Sequence, residues 1–281
     1  MDYKRILTIQ DISCVGQCSM TVALPILSAC GHETCILPSA VLSTHTGGFT
    51  GFTVRNLSDD FPGIIDHWQK ESLSFDAVYT GYLGNCDHVS HVIRIAENLI
   101  ASGGKLIVDP AMADNGKLYY GFDDVYVAAM RSLCKKADII LPNITEACLL
   151  AGIDLPSSPS EAFVHALLEN LSKEFSCTVI LTGANFENGC TGVAIYDGSA
   201  HTSYQHVRIP KSYHGTGDIY SSAFTGAYVS GLDILTSATI AADYTVRCIE
   251  HTVDDASHWY GVKFELELPF LIRCISDAVE K

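Results

Sequence analysis

Ile6-Leu7-Thr8-Ile9, the segment Ser19–Cys30 with Gly31 behind it, and Glu33-Thr34-Cys35-Ile36-Leu37 read in succession as strand, helix and strand. The two apolar runs are short and rich in β-branched residues, as strands buried on both faces are. Between them the apolar positions follow a helical spacing, and Gly31 suits a helix stop. Strands joined through a helix lie parallel, because a crossover returns the chain to the same edge of the sheet. The rhythm recurs. Strands are expected at Ala77–Thr80, Leu106–Val108, Ile139–Leu141 and Thr178–Thr182, and helices at Asp87–Ala101, Asp123–Cys134 and Ser160–Phe175. Gly189–Tyr196 and Thr202–Ile209, joined around Asp197-Gly198, form an expected hairpin, and the chain after Asp218 is mainly helical. The expected class is α/β, a mostly parallel central sheet with helices on both faces. No repeat, low-complexity tract or linker interrupts it, so residues 1–281 are expected to form a single domain.

Composition narrows the partners. The 281 residues are 48% hydrophobic and 17% charged, enough to bury a sizeable core. Lys and Arg number 17 against 32 Asp and Glu, a net charge of −15. That balance argues against nucleic acid and against an anionic membrane, but a few local N–H groups still suffice for a small anion. The 11 cysteines are odd in number and contain no Cys-x-x-Cys pair, which points to reduced thiols in a cytoplasmic protein and away from zinc. The start Met1-Asp2-Tyr3-Lys4-Arg5 leads into an apolar run too short for a signal core, and no membrane span is evident.

In open parallel sheets ligands gather at the carboxyl ends of strands. Each such end carries polar or glycine-containing residues: Gln10-Asp11-Ile12-Ser13, Gly81-Tyr82-Leu83-Gly84, Asp109-Pro110-Ala111-Met112-Ala113-Asp114, Asn143-Ile144-Thr145-Glu146 and Thr182-Gly183. Together they are expected to line one cleft. Neither a dinucleotide fingerprint nor a Walker loop is present. The strongest signal is His214-Gly215-Thr216-Gly217-Asp218 ahead of a helix of small residues. Two glycines about a threonine aim several N–H groups one way, and the helix adds its own unpaired N–H groups and dipole. Such a corner suits a phosphate or a transferring phosphoryl group, with Asp218 placed to take a proton. It also suits a plain glycine turn capped by a helix-terminal carboxylate. Likewise, Asn143 and Glu146 make a capping box whether or not they meet a ligand.

In this order, Asp109-Pro110-x-Met112-x-Asp114-x-Gly116, Asn143-x-x-Glu146, Thr182-Gly183 and Gly215-Thr216-Gly217-Asp218 resemble the ribokinase-like superfamily, a three-layer sandwich, and within it the vitamin B6 (pyridoxal) kinases. The resemblance implies ATP-dependent phosphorylation of the 5′-hydroxymethyl group of a B6 vitamer. Gly215, Thr216 and Gly217 would form the anion hole and Asp218 the base, ionised at its helix N-terminus. Asp109, Asp114, Asn143, Glu146, Thr182 and Gly183 would face ATP, with Asp109 and Glu146 on Mg2+. Asp11, Ser13, His45, Thr46 and Tyr82 would meet the vitamer, Tyr82 against its ring. Homodimers are usual among such kinases. Two departures matter. Asp11 replaces a frequent serine, and a carboxylate there favours an aminomethyl group, hence pyridoxamine. Leu141 replaces a threonine of some relatives and puts the monovalent-cation site in doubt. The alternatives are a hydroxymethylpyrimidine kinase of the same fold, whose members often carry cysteine at the position of Asp218, and a non-catalytic vitamin or nucleotide sensor.

Overall fold

The computed structural model describes residues 3–280, so Met1-Asp2 of the leader reading lies outside the described residues. In chain order the elements are β1 (Arg5–Ser13), α1 (Met20–Ala29), β2 (Glu33–Leu42), β3 (Val54–Asn56), α2 (Phe61–Lys70), β4 (Phe75–Thr80), α3 (Cys86–Leu99) and β5 (Ile100–Val108). There follow β6 (Ala113–Asp114), β7 (Lys117–Leu118), α4 (Asp124–Cys134), β8 (Ile139–Ile140), α5 (Ile144–Ala151), α6 (Glu161–Phe175) and β9 (Thr178–Ala184). The chain ends with β10 (Cys190–Tyr196), β11 (His201–Val207), α7 (Thr216–Val229), α8 (Ile234–Glu250) and α9 (Leu268–Val279).

Two compact units emerge, each assembled from separate stretches of chain. One takes the chain as far as Ser58, Phe75–Tyr79 and the chain from Ile209 onward; the other takes Asp59–Ser74 and Thr80–Arg208. In the first, strands pair in the order β4-β1-β2-β3. β1 and β2 are parallel from Arg5↔Glu33 to Gln10↔Pro38, and the register shifts between Gln10 and Ile12. Pro38 has no N–H for a ladder bond, so an irregularity is at home there, and its extra residue falls on the β2 side. Ile6, Leu7 and Ile9 are fully buried, as a strand covered on both faces requires. In the second unit the order is β5-β8-β9-β10-β11, parallel as far as β9 and antiparallel in the hairpin that follows.

Several boundaries differ from the sequence reading. The helix expected to reach Ala101 stops at Leu99, and β5 begins at once with Ile100 in extended conformation. Ser102-Gly103-Gly104 therefore lies within a strand. β2 runs on to Leu42, five residues past its expected end, because its partner β1 also continues to Ser13. Among the described residues no helix is long and apolar enough to cross a membrane.

Candidate active site

The first unit holds the alcohol-side candidates except Tyr82, which belongs to the second. Gly215 caps α7 with φ of 80°, a left-handed conformation that suits glycine, and a Cβ there would lie 1.8 Å from the Gln17 carbonyl oxygen. No side chain caps this helix, which leaves its first-turn N–H groups available to an anion. Asp218 sits in that turn, and its Oδ2 accepts the Ser19 N–H at 3.0 Å. Ser19 makes this bond from a strained backbone, with φ of 52°. A non-glycine residue holds such a conformation only where its surroundings enforce it.

Asp11 lies close by. It is 4% exposed, and its Oδ2 accepts the Ser13 hydroxyl at 2.8 Å, so the two side chains share a side as the alternation of β1 predicts. Burial raises the Asp11 carboxyl above its ordinary pKa, while hydrogen bonds from the Ser19 and Ser13 side chains oppose the rise. Cys18, between the two carboxylates in sequence, is a buried thiol pushed far up by desolvation and then by Asp218 and Asp11. It is protonated and is no nucleophile.

His45 is committed within the chain at both ring nitrogens. Its Nδ1 accepts the Gly47 N–H at 3.1 Å, and its Nε2 therefore carries the proton, donated to the Tyr260 carbonyl at 2.8 Å. Burial lowers its pKa and keeps the ring neutral. What His45 can present to a ligand is thus a ring face. Thr46 follows it in the same loop and is exposed.

The second unit gathers the nucleotide-side candidates. Asn143 and Glu146 form the capping box of α5: Asn143 Oδ1 accepts the Glu146 N–H at 3.0 Å and Glu146 Oε2 accepts the Asn143 N–H at 2.9 Å. Glu146 is 2% exposed, and its Oε1 also accepts N–H groups of Met112 at 2.9 Å and Ala113 at 3.3 Å. Burial raises its pKa first, and the neighbouring carboxylate of Asp109 raises it further. Two crowded carboxylates in this setting are what a cation relieves. Among the described residues no group of three or more His, Cys, Asp or Glu forms a cage. A pair of this kind suits Mg2+, which keeps waters and substrate phosphates in its shell. Asp109 turns the chain by accepting the Ala111 N–H, whereas Asp114 is exposed and bonded to Asn115. Thr182 donates its N–H to the Pro142 carbonyl at 2.9 Å, which sets it beside Asn143. Gly183 bulges out of β9 with φ of 72°. Tyr82 stacks on Phe122 at 5.3 Å, and Phe122 on Tyr126 at 3.7 Å.

Residues 53–262 match the family model described as phosphomethylpyrimidine kinase. The chain belongs to that family. The kinase has the ribokinase-like α/β fold and superimposes with a TM-score of 0.91 on a provisionally named phosphomethylpyrimidine kinase of Bacteroides thetaiotaomicron, solved with pyridoxal. The two are 33% identical over 96% of each chain. It is similar also to the pyridoxal kinase of Lactobacillus plantarum, with a TM-score of 0.90 and 30% identity over 97% of this chain and 98% of that one. The hydroxymethylpyrimidine/phosphomethylpyrimidine kinase of Bacillus subtilis is 28% identical across 76% of this kinase and 78% of its own length.

The sequence reading passed over Ser19, which serves both carboxylates of the first unit, and Tyr260, which holds His45. Ser19 looks like an ordinary helix cap in sequence, and only its positive φ reveals otherwise. Tyr260 acts through its carbonyl, which no residue type announces. Phe122 was within reach, since Tyr119-Tyr120-Gly121-Phe122 is an aromatic cluster beside a glycine.

Proposed function

We propose that this kinase transfers the γ-phosphoryl group of ATP to the 5′-hydroxymethyl group of pyridoxal, pyridoxamine or pyridoxine. The observation that carries this reading is the uncapped first turn of α7 with Asp218 inside it. The alcohol oxygen attacks the γ-phosphorus, its proton passes to the Asp218 carboxylate, and ADP departs with the bond electrons of the bridging oxygen. N–H groups of Gly215, Thr216 and Gly217 stabilise the charge on the transferring group, the main service a protein offers this reaction. Asp109 and Glu146 are the residues that would hold Mg2+, which shields the phosphate charge when bound. Asp114, Asn143, Thr182 and Gly183 shape the nucleotide side, and Asp11, Ser13, His45, Thr46 and Tyr82 the vitamer side. Residues 1–281 act as one kinase domain, because neither compact unit is a continuous stretch of chain. We assign the protein to the cytoplasm, where the 11 cysteines, all free, stay reduced. The active form is a homodimer, which light scattering of the eluted protein will test. Leu141 offers no side-chain oxygen, so activity is expected without a specific monovalent cation.

The reaction is tested by ADP release from MgATP with pyridoxal, pyridoxamine, pyridoxine and hydroxymethylpyrimidine side by side. Turnover of the B6 vitamers is expected, with pyridoxamine favoured if Asp11 meets its aminomethyl group. Equal use of pyridoxal and pyridoxamine by wild type and Asp11→Ser removes that role from Asp11. The description of the matched family favours a second reading, hydroxymethylpyrimidine kinase, and turnover of the pyrimidine alone establishes it. Binding of ATP without turnover of any of the four makes the chain a sensor.

A further inference from the structure

The segment Trp259-Tyr260-Gly261 takes no part in the reaction as drawn, yet it grips two pieces of the alcohol-side site. The Tyr260 carbonyl accepts the His45 Nε2–H at 2.8 Å and the Gln17 N–H at 3.4 Å. Gln17 is tied a second time, its side-chain amide donating to Glu265 Oε1 at 2.8 Å. Rings close the same contact. Trp259 lies 4.6 Å from Phe49, and Phe49 lies edge-on to His45 at 5.0 Å. Gly48 passes so near the indole that a Cβ on it would stand 2.8 Å from Trp259 Cζ3. The segment is itself braced: Lys263 pairs with Asp255 at 2.7 Å, and its N–H donates to Thr252 Oγ1 at 2.9 Å.

The loop so held, Ser43-Thr44-His45-Thr46-Gly47-Gly48-Phe49, is short of apolar side chains and cannot order itself by burial. A loop ordered only when its ligand arrives weakens binding by the entropy it gives up, and a loop held beforehand escapes that loss. Trp259 remains 47% exposed, unusual for an indole that serves only the core.

We propose that Trp259 and Tyr260 are positioning residues that hold loop 43–49 in its alcohol-binding shape, and that Trp259 thereby sets affinity for flat aromatic alcohols. This rests on the alcohol-kinase reading above. The test compares Trp259→Ala, Trp259→Leu and Trp259→Phe with wild type, using pyridoxine and MgATP, together with amide hydrogen exchange of the unliganded proteins. In the Ala and Leu variants the pyridoxine KM is expected to rise about tenfold, with kcat and the ATP KM within about threefold, the signature of lost binding without lost transition-state stabilisation. Amides 44–49 are expected to exchange about tenfold faster while the strands stay protected, since a local opening leaves the rest of the fold closed. Trp259→Phe, which keeps a ring against Phe49, is expected to restore both. An unchanged pyridoxine KM overturns the proposal, and so does faster exchange throughout the protein, which would make Trp259 a mere part of the core. If wild type phosphorylates none of the alcohols, the kinase reading fails, and the exchange measurement still decides whether the clamp exists.

Discussion

In the proposed reaction Asp218 takes the proton and Gly215 helps to hold the charge at the first turn of α7, and each admits a sharp substitution. Asp218→Asn keeps the shape and the bond from Ser19 while removing the base. Its kcat is expected to fall by about 100- to 10,000-fold with substrate KM within about tenfold, because a general base acts on the transition state alone. Retention of near-wild-type kcat in initial-rate assays would displace Asp218 from that role. Gly215→Ala puts a Cβ where the Gln17 carbonyl already stands and where φ is positive. A loss of at least about 2 kcal/mol is expected in the urea-unfolding free energy. Asp11 supplies a pH signature. Its folded-state pKa is raised by burial, so between the ordinary carboxylate value and the raised one the native state holds more protons than the unfolded state. Stability from this group is therefore greatest at low pH and is lost as pH climbs through that window. Asp11→Asn removes the penalty, and its Tm relative to wild type is expected to increase as pH climbs from the ordinary carboxylate range through the raised value. A Tm difference that stays flat across that range would mean that Asp11 ionises as freely in the fold as out of it.

At the scale of elements, α5 shows how one motif serves two ends. The Asn143–Glu146 box satisfies the helix start, and the same geometry sets Glu146 beside Asp109. Asn143→Ala is expected to cost about 1 kcal/mol of stability in denaturant unfolding, the usual worth of a helix cap. Asn143 Nδ2 also donates to the Ala113 carbonyl at 2.8 Å, so β6 should loosen with it. The capping box was legible in the sequence because its logic is local: four residues and two hydrogen bonds. The long central strands and most helices were legible for a similar reason, since a strand buried on both faces leaves an unbroken apolar run and a helix a spacing of about 3.6 residues. The short β3, β6 and β7 left no such mark. What was not legible depended on distant chain. β5 begins at Ile100 although Ser-Gly-Gly follows, so the turn propensity of glycine misleads there. Ser19 takes up a positive φ on account of Asp218, a residue 199 positions away. His45 could be singled out from the sequence as a candidate, but its tautomer follows from the Tyr260 carbonyl, which leaves no trace in residue type.

For the whole molecule the governing fact is a charge of −15 set against a substrate that is itself a polyanion. In the proposed site the N–H groups at α7 would attract phosphate only over the first turn, whereas the net charge repels it across a Debye length. Salt screens the long-range repulsion more than the short-range, partly buried attraction. The ATP KM is therefore expected to fall by about two- to threefold as ionic strength rises from about 0.02 to 0.15 M, while the KM of uncharged pyridoxine stays constant. The same trend is expected with NaCl, KCl and choline chloride, because screening is indifferent to the cation. Leu141 sharpens the comparison. If KCl alone lowers the ATP KM, a potassium ion is bound somewhere in the nucleotide half despite the missing threonine oxygen, and the effect belongs to a site. If all three salts raise the ATP KM, the local field of the anion hole outweighs the net charge, and the acidic surface has no hold on how fast the nucleotide arrives.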